Sequence, residues 1–151
     1  MKKLILSIAA SACCISVWSQ NHSKNECLAA DAADSEHLHG TWQARFADAR
    51  LDAVLQLGPH TEWQGTVQGT AQRGSHSLLV VGDMDQGQLT LEESTDGRRI
   101  SATWLGQADT SDCHLRIQGE WRQDEAPAVA FTLQRLDAPA HAPTPSTPSG
   151  W

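Results

Sequence analysis

The sequence predicts an all-β fold: one eight-stranded antiparallel up-and-down barrel, with a disordered N-terminal arm and a Pro-rich disordered C-terminal tail. Three observations predict it. Eight short runs between residues 41 and 136 alternate apolar and polar side chains, the period of a sheet with one dry and one wet face. Turn chemistry separates these runs. No stretch carries the capped amphipathic pattern of a long helix.

The first run, Thr41–Ala47, sets Trp42, Ala44 and Phe46 against Thr41, Gln43 and Arg45. Leu51–Leu57 turns Leu51, Ala53, Leu55 and Leu57 inward. Trp63–Thr70 places Trp63, Gly65, Val67 and Gly69 on one face. Ser77–Gly82 is apolar on both faces, as a central or covered strand would be. Gln88–Ser94 offers Leu89 and Leu91. Ile100–Gly106 offers Ile100, Ala102, Trp104 and Gly106, and His114–Arg122 offers Leu115, Ile117, Gly119 and Trp121. Val129–Leu136 closes the series with Val129, Phe131 and Leu133, and Arg135 shares their parity. Glycines on the inward face relieve crowding where a sheet coils to close.

Gly58-Pro59, Arg73-Gly74, Asp85-Gln86-Gly87 and Asp96-Gly97 read as turns. Links this short join neighbouring antiparallel strands, which gives a meander. Closure of that meander removes exposed edges.

The ends differ in composition. Residues 1–19 read as a secretory signal: Met1-Lys2-Lys3, an apolar stretch from Leu4 to Val17, then small and polar residues. The stretch is shorter than the roughly 20 residues that span a bilayer. Cleavage before Gln20 is favoured. A lipobox reading of Ala10-Ser11-Ala12-Cys13 would instead anchor the chain by lipid at Cys13. Residues 20–38 form a polar, Ala-rich flexible arm, with room for a helical turn in Leu28–Ala33. Residues 39–136 are the barrel domain. Residues 137–151, with Pro139, Pro143, Pro145 and Pro148, form an extended solvated tail that ends in Trp151.

Cleavage before Gln20 leaves Cys27 and Cys113, an even pair suited to an oxidising compartment. A Cys27–Cys113 disulfide is therefore expected, worth roughly 4 kcal/mol by chain entropy. Export points to the periplasm or the medium. The formal charge is −7, with Lys24 the only lysine left after the signal. There is no basic patch, so nucleic acid and anionic membranes are poor partners.

Sites of chemistry are scarce. Asp83-Met84-Asp85-Gln86-Gly87 opens like a calcium loop, but its Gly comes early and Ser94 stands where a bidentate Glu is needed. His37 and His39 lack a third metal ligand at a telling spacing. Glu92 and Glu93 would face opposite sides of a strand, so they are not a paired-carboxylate site. No Gly-x-Ser-x-Gly occurs. The reading is a non-enzymatic protein with no cofactor.

Gly40-Thr41-Trp42, Gly65-Thr66-Val67, Ser101-Ala102-Thr103-Trp104-Leu105-Gly106-Gln107 and Arg116-Ile117-Gln118-Gly119-Glu120-Trp121 follow one another in an order that resembles the avidin–streptavidin family of calycin barrels. The resemblance covers about residues 40–136. It implies a Trp42–Arg135 stack at one barrel end and a ligand cup near Trp63, Val67, Thr103, Trp104 and Trp121. Biotin recognition does not carry over: the family's Tyr falls on Val67, its Asn on Ala44, and the chain contains no Tyr. An apolar or ring-bearing small ligand is the expected guest. The same indoles would serve equally as filled core. The periplasmic inhibitors of secreted metalloproteases share an avidin-like barrel, which makes the arm Asn21–Leu38 a second candidate, for a protein partner. A third alternative is an envelope protein without a ligand pocket.

Overall fold

Period-two alternation closes into a ring because every dry face has the next one beside it. In the computed structural model, which describes residues 27–136, eight strands form a closed barrel in the order β1 to β8. They are β1 Gly40–Phe46, β2 Ala53–Pro59, β3 Val67–Arg73, β4 His76–Asp85, β5 Gln88–Ser94, β6 Ala102–Asp109, β7 Arg116–Arg122 and β8 Val129–Arg135. Each pairs antiparallel with its sequence neighbours. The ring closes where β1 meets β8, with Trp42 opposite Arg135 and Phe46 opposite Phe131. The stretches expected to be a signal (with Cys13), the first part of the arm and the Pro-rich tail ending in Trp151 lie outside the described residues.

The interior follows the alternation. Trp42, Ala44 and Phe46 are buried, as are Ala53, Leu55 and Leu57, Leu89 and Leu91, Ala102 and Trp104, Ile117 and Trp121, and Phe131 and Leu133. Gly69, Gly82 and Gly119 face inward where the adjacent strand crosses closely. A Cβ on Gly119 would fall on the Leu105 carbonyl, and one on Gly69 on the Gln56 carbonyl. Glycine there lets the strands approach and coil.

Several boundaries differ from expectation. Leu51, expected in β2, falls in the 3-10 turn Ala49–Leu51. β4 extends to Asp85 and β6 to Asp109, and β7 starts at Arg116. Three further differences fall beside one another on the outer wall. Gly58-Pro59 continues β2 instead of turning, because Pro59 pairs with Val67 at the strand's last step. Residues 63–66 are loop. The His60 Nδ1 accepts from the Glu62 and Trp63 N–H groups and turns the chain before a strand can start. Gly65, at φ +74°, also lies outside the extended region. Ile100 is exposed and precedes β6, because the chain after Asp96 is engaged in its own turn.

Residues 27–38, assigned to the arm, are fastened over the barrel end that holds the β2–β3, β4–β5 and β6–β7 loops. Two short 3-10 turns, Ala30–Ala32 and Ser35–Leu38, carry Ala33 and Leu38 into the core. The first falls where a helical turn is expected. The buried Ser35 hydroxyl accepts from the Met84 N–H, and the Ala33 carbonyl accepts from the Gly87 N–H. Cys27 is bonded to Cys113, with Cα atoms 4.9 Å apart. These contacts hold this stretch down against the entropy that favours a loose arm.

Candidate functional site

The interior is the first place to look for a ligand, and it is full. Phe46, Trp104, Trp121 and Phe131 meet edge to face at one end, with Phe46–Trp104 centroids 5.1 Å apart and Trp104–Phe131 5.0 Å apart. Trp104 and Val67 have no accessible surface, and Trp121 keeps 5 %. A cup open to a guest would leave its walls accessible; these walls touch one another.

A buried ion pair finishes this end. The Arg73 guanidinium donates to both Glu93 carboxylate oxygens, at 3.0 and 3.3 Å. The Trp104 and Trp121 indole N–H groups donate to Glu93 Oε2 at 3.1 and 3.3 Å. Arg73 also donates to the Leu51 carbonyl and lies over the Phe46 and Trp121 rings. The carboxylate thus has donors on both oxygens, the condition under which a charge survives burial.

The opposite end is closed by the arm. Trp42 Nε1 donates to the Leu38 carbonyl at 2.8 Å. The Arg135 guanidinium lies 4.6 Å from the Trp42 ring centroid and donates to the His37 and His39 carbonyls. This cation–π stack pins the seam of the barrel to the arm.

The structure therefore divides the residues expected around a cup. Val67, Trp104 and Trp121 come together inside as core. Thr103 sits on the outer face of β6, opposite Arg122 of β7 and Glu92 of β5. Trp63 stands outside, in the β2–β3 loop, with 59 % of its surface exposed. Its ring stacks on His60 at 4.3 Å, nearly parallel.

Trp63 leads to a site that period-two reasoning misses. The outer wall of β3, β4 and β5 carries a cleft of about 700 Å³. Its floor is Gln68, Thr70, Leu79, Val81 and Glu92. One bank is His60 and Trp63; the other is Gly97, Arg98, Arg99 and Ile100. Leu79 and Ile100 are 52 % and 53 % exposed, so three large apolar side chains line one outer cleft. The signal was the run Ser77–Gly82, apolar on both faces: its inward half, Leu78 and Val80, is core, and its outward half is this floor. No protein-family model, curated protein or solved structure matches the chain.

The Arg98–Arg99 bank is shaped by Asp96. Its Oδ1 accepts from the backbone N–H groups of Arg98 and Arg99 at 2.8 and 2.9 Å, and the Ser94 hydroxyl accepts from the Gly97 N–H. The Arg99 N–H, then the Arg98 N–H, hold the Asp96 carboxyl below its ordinary value of 3.8. A depressed carboxyl stabilises the fold above its unfolded value and gives that up as pH falls through the folded one. The Arg98 and Arg99 amide resonances should therefore titrate together, with a midpoint below 3.8. Asp96→Asn should abolish that titration. Amides that do not move with acid would show that Asp96 does not set the loop.

Proposed function

We propose that the chain is an exported, non-enzymatic binding module on an avidin-like barrel, and that its small apolar or aromatic ligand is held on the outer wall rather than inside. The observation that carries this reading is the convergence of exposed Trp63, Leu79 and Ile100 on one cleft while the interior walls are sealed. Solvent-exposed apolar side chains gathered around a concavity mark recognition sites, and about 700 Å³ suits a small molecule. The closed meander and the Trp42–Arg135 stack support kinship with calycin barrels. The disulfide supports an oxidising compartment, the periplasm or the medium; lipid anchoring at Cys13 is the alternative. Among the described residues no helix is long and apolar enough to cross a membrane.

N-Phenyl-1-naphthylamine, a neutral aromatic dye, tests the reading. The full chain should bind it saturably. Leu79→Glu, which places a charge on the cleft floor without touching the core, should weaken binding at least tenfold with Tm preserved. No binding, or binding indifferent to Leu79→Glu, would overturn the proposal.

A second reading, a protein-binding module such as a protease inhibitor, draws support from the anchored arm. The Cys27–Cys113 bond fixes the start of the described arm. Trimming should stop at residue 26, because Ala33 and Leu38 belong to the core. Loss of inhibition of secreted metalloproteases on that trim would favour this reading.

A further inference from the structure

The inference rests on the outer-cleft reading and names its ligand class. The chain has eight arginines and a formal charge of −7. Arg45, Arg50, Arg73, Arg116 and Arg122 are paired with Asp52, Asp48, Glu93, Asp112 and Glu120. Arg135 is engaged by two backbone carbonyls and the Trp42 ring. Arg98 and Arg99 remain. Among the described residues neither guanidinium has an acidic partner, and both line the cleft that holds Trp63, Leu79 and Ile100.

Acidic side chains outnumber basic ones in this chain, eighteen to eleven. Two adjacent guanidiniums left unpaired against that excess are a specific arrangement. Their backbone is held by Asp96, so the bank that carries them is ordered before any ligand arrives. Of the two carboxylates that line the cleft, Glu93 is turned inward and neutralised by Arg73. Glu92 alone faces outward, so among the side chains that line the cleft two guanidiniums stand against one exposed carboxylate. The Asp96 carboxylate of the same bank is occupied by backbone N–H groups.

We propose that the ligand is a small amphipathic anion: an aromatic or otherwise apolar body bearing one carboxylate or sulfonate. The body lies between the Trp63 indole and the Leu79–Val81 floor, where an aromatic ring gains stacking contact. The anionic group meets Arg98 and Arg99, whose planar forks match two oxygens at once. The size of the cleft fits such a molecule and is too small for a folded domain.

Two dyes with one skeleton test this. N-Phenyl-1-naphthylamine is neutral; 8-anilino-1-naphthalenesulfonate adds a sulfonate. The full chain should bind the sulfonate at least tenfold more tightly at low salt, and salt should shrink that ratio. Arg98→Gln with Arg99→Gln should bring the ratio close to one. Arg122→Gln, on β7 away from the cleft, should leave it unchanged. Equal affinity for the two dyes in the unaltered chain, or a ratio that survives the double substitution, would overturn the anion inference while leaving the cleft standing. Failure of both dyes to bind, or insensitivity of both to Leu79→Glu, would remove the cleft and the inference together.

Discussion

Glu93→Ala should lower the stability of the barrel by about 3–5 kcal/mol, the range for breaking a buried ion pair from one side. Thermal melting should register a fall in Tm of about 15 °C or more for a domain of this size. The reason lies in what the substitution strands. Arg73, 15 % exposed in its side chain, would keep its charge inside the barrel end with no counter-ion. The Trp104 and Trp121 indole N–H groups would lose their acceptor together. Glu93→Gln restores an acceptor for the indoles but not for the charge, and should recover only part of the loss. Arg73→Met with Glu93→Leu removes the charges as a pair and should be milder than Glu93→Ala alone, because apolar replacement of a buried pair is often close to neutral. A loss below about 1 kcal/mol for Glu93→Ala would mean that water reaches this end and that the seal described above is absent.

The second large effect belongs to the disulfide. Cys27→Ser with Cys113→Ser should cost about 4 kcal/mol in the chain-entropy account, since the bridge closes a loop of 86 residues. The cost has a local part as well. Without the bridge, residues 27–32 are held chiefly by the short turn at Ala30–Ala32 and by the partial burial of Leu28 and Ala30. Protease should then cut within this stretch before the barrel unfolds. Chemical denaturation with and without reductant measures the first part, and limited proteolysis the second. A midpoint indifferent to reductant would show that the core alone carries the fold.

Much of this was legible in the residues, and the failures have physical causes. Alternation located the core faces of seven strands, because burying one side of a strand forces every second residue inward. In β4, apolar on both faces, it could not say that Leu78 and Val80 rather than Leu79 and Val81 face the core. It failed at Trp63 and Ile100, which continue the parity of β3 and β6 on paper. There the competing force is local: the His60 imidazole and the Asp96 carboxylate capture backbone N–H groups that a longer strand would need. The placement of Glu93 on the opposite face from Glu92 was readable. Its partner was not, because Arg73 reaches it only once two non-adjacent strands face each other across the closed interior. Parity nevertheless held the clue: Arg73 follows inward Ala71, and Glu93 follows inward Leu91. The tryptophans were harder still. Sequence placed Trp104 and Trp121 inside, but whether indoles line a hollow or fill it depends on volumes that only the assembled ring defines.

The two loops that bank the outer cleft, residues 60–66 and 95–101, contribute nothing to the hydrophobic core. Substitutions there escape the packing constraints that bind β1 to β8 to their present residues. Side-chain changes in these loops would therefore reshape the outer cleft with little effect on the packed interior. The same independence makes the pair of loops a natural place to randomise a library, with the remainder of the molecule serving as an inert frame.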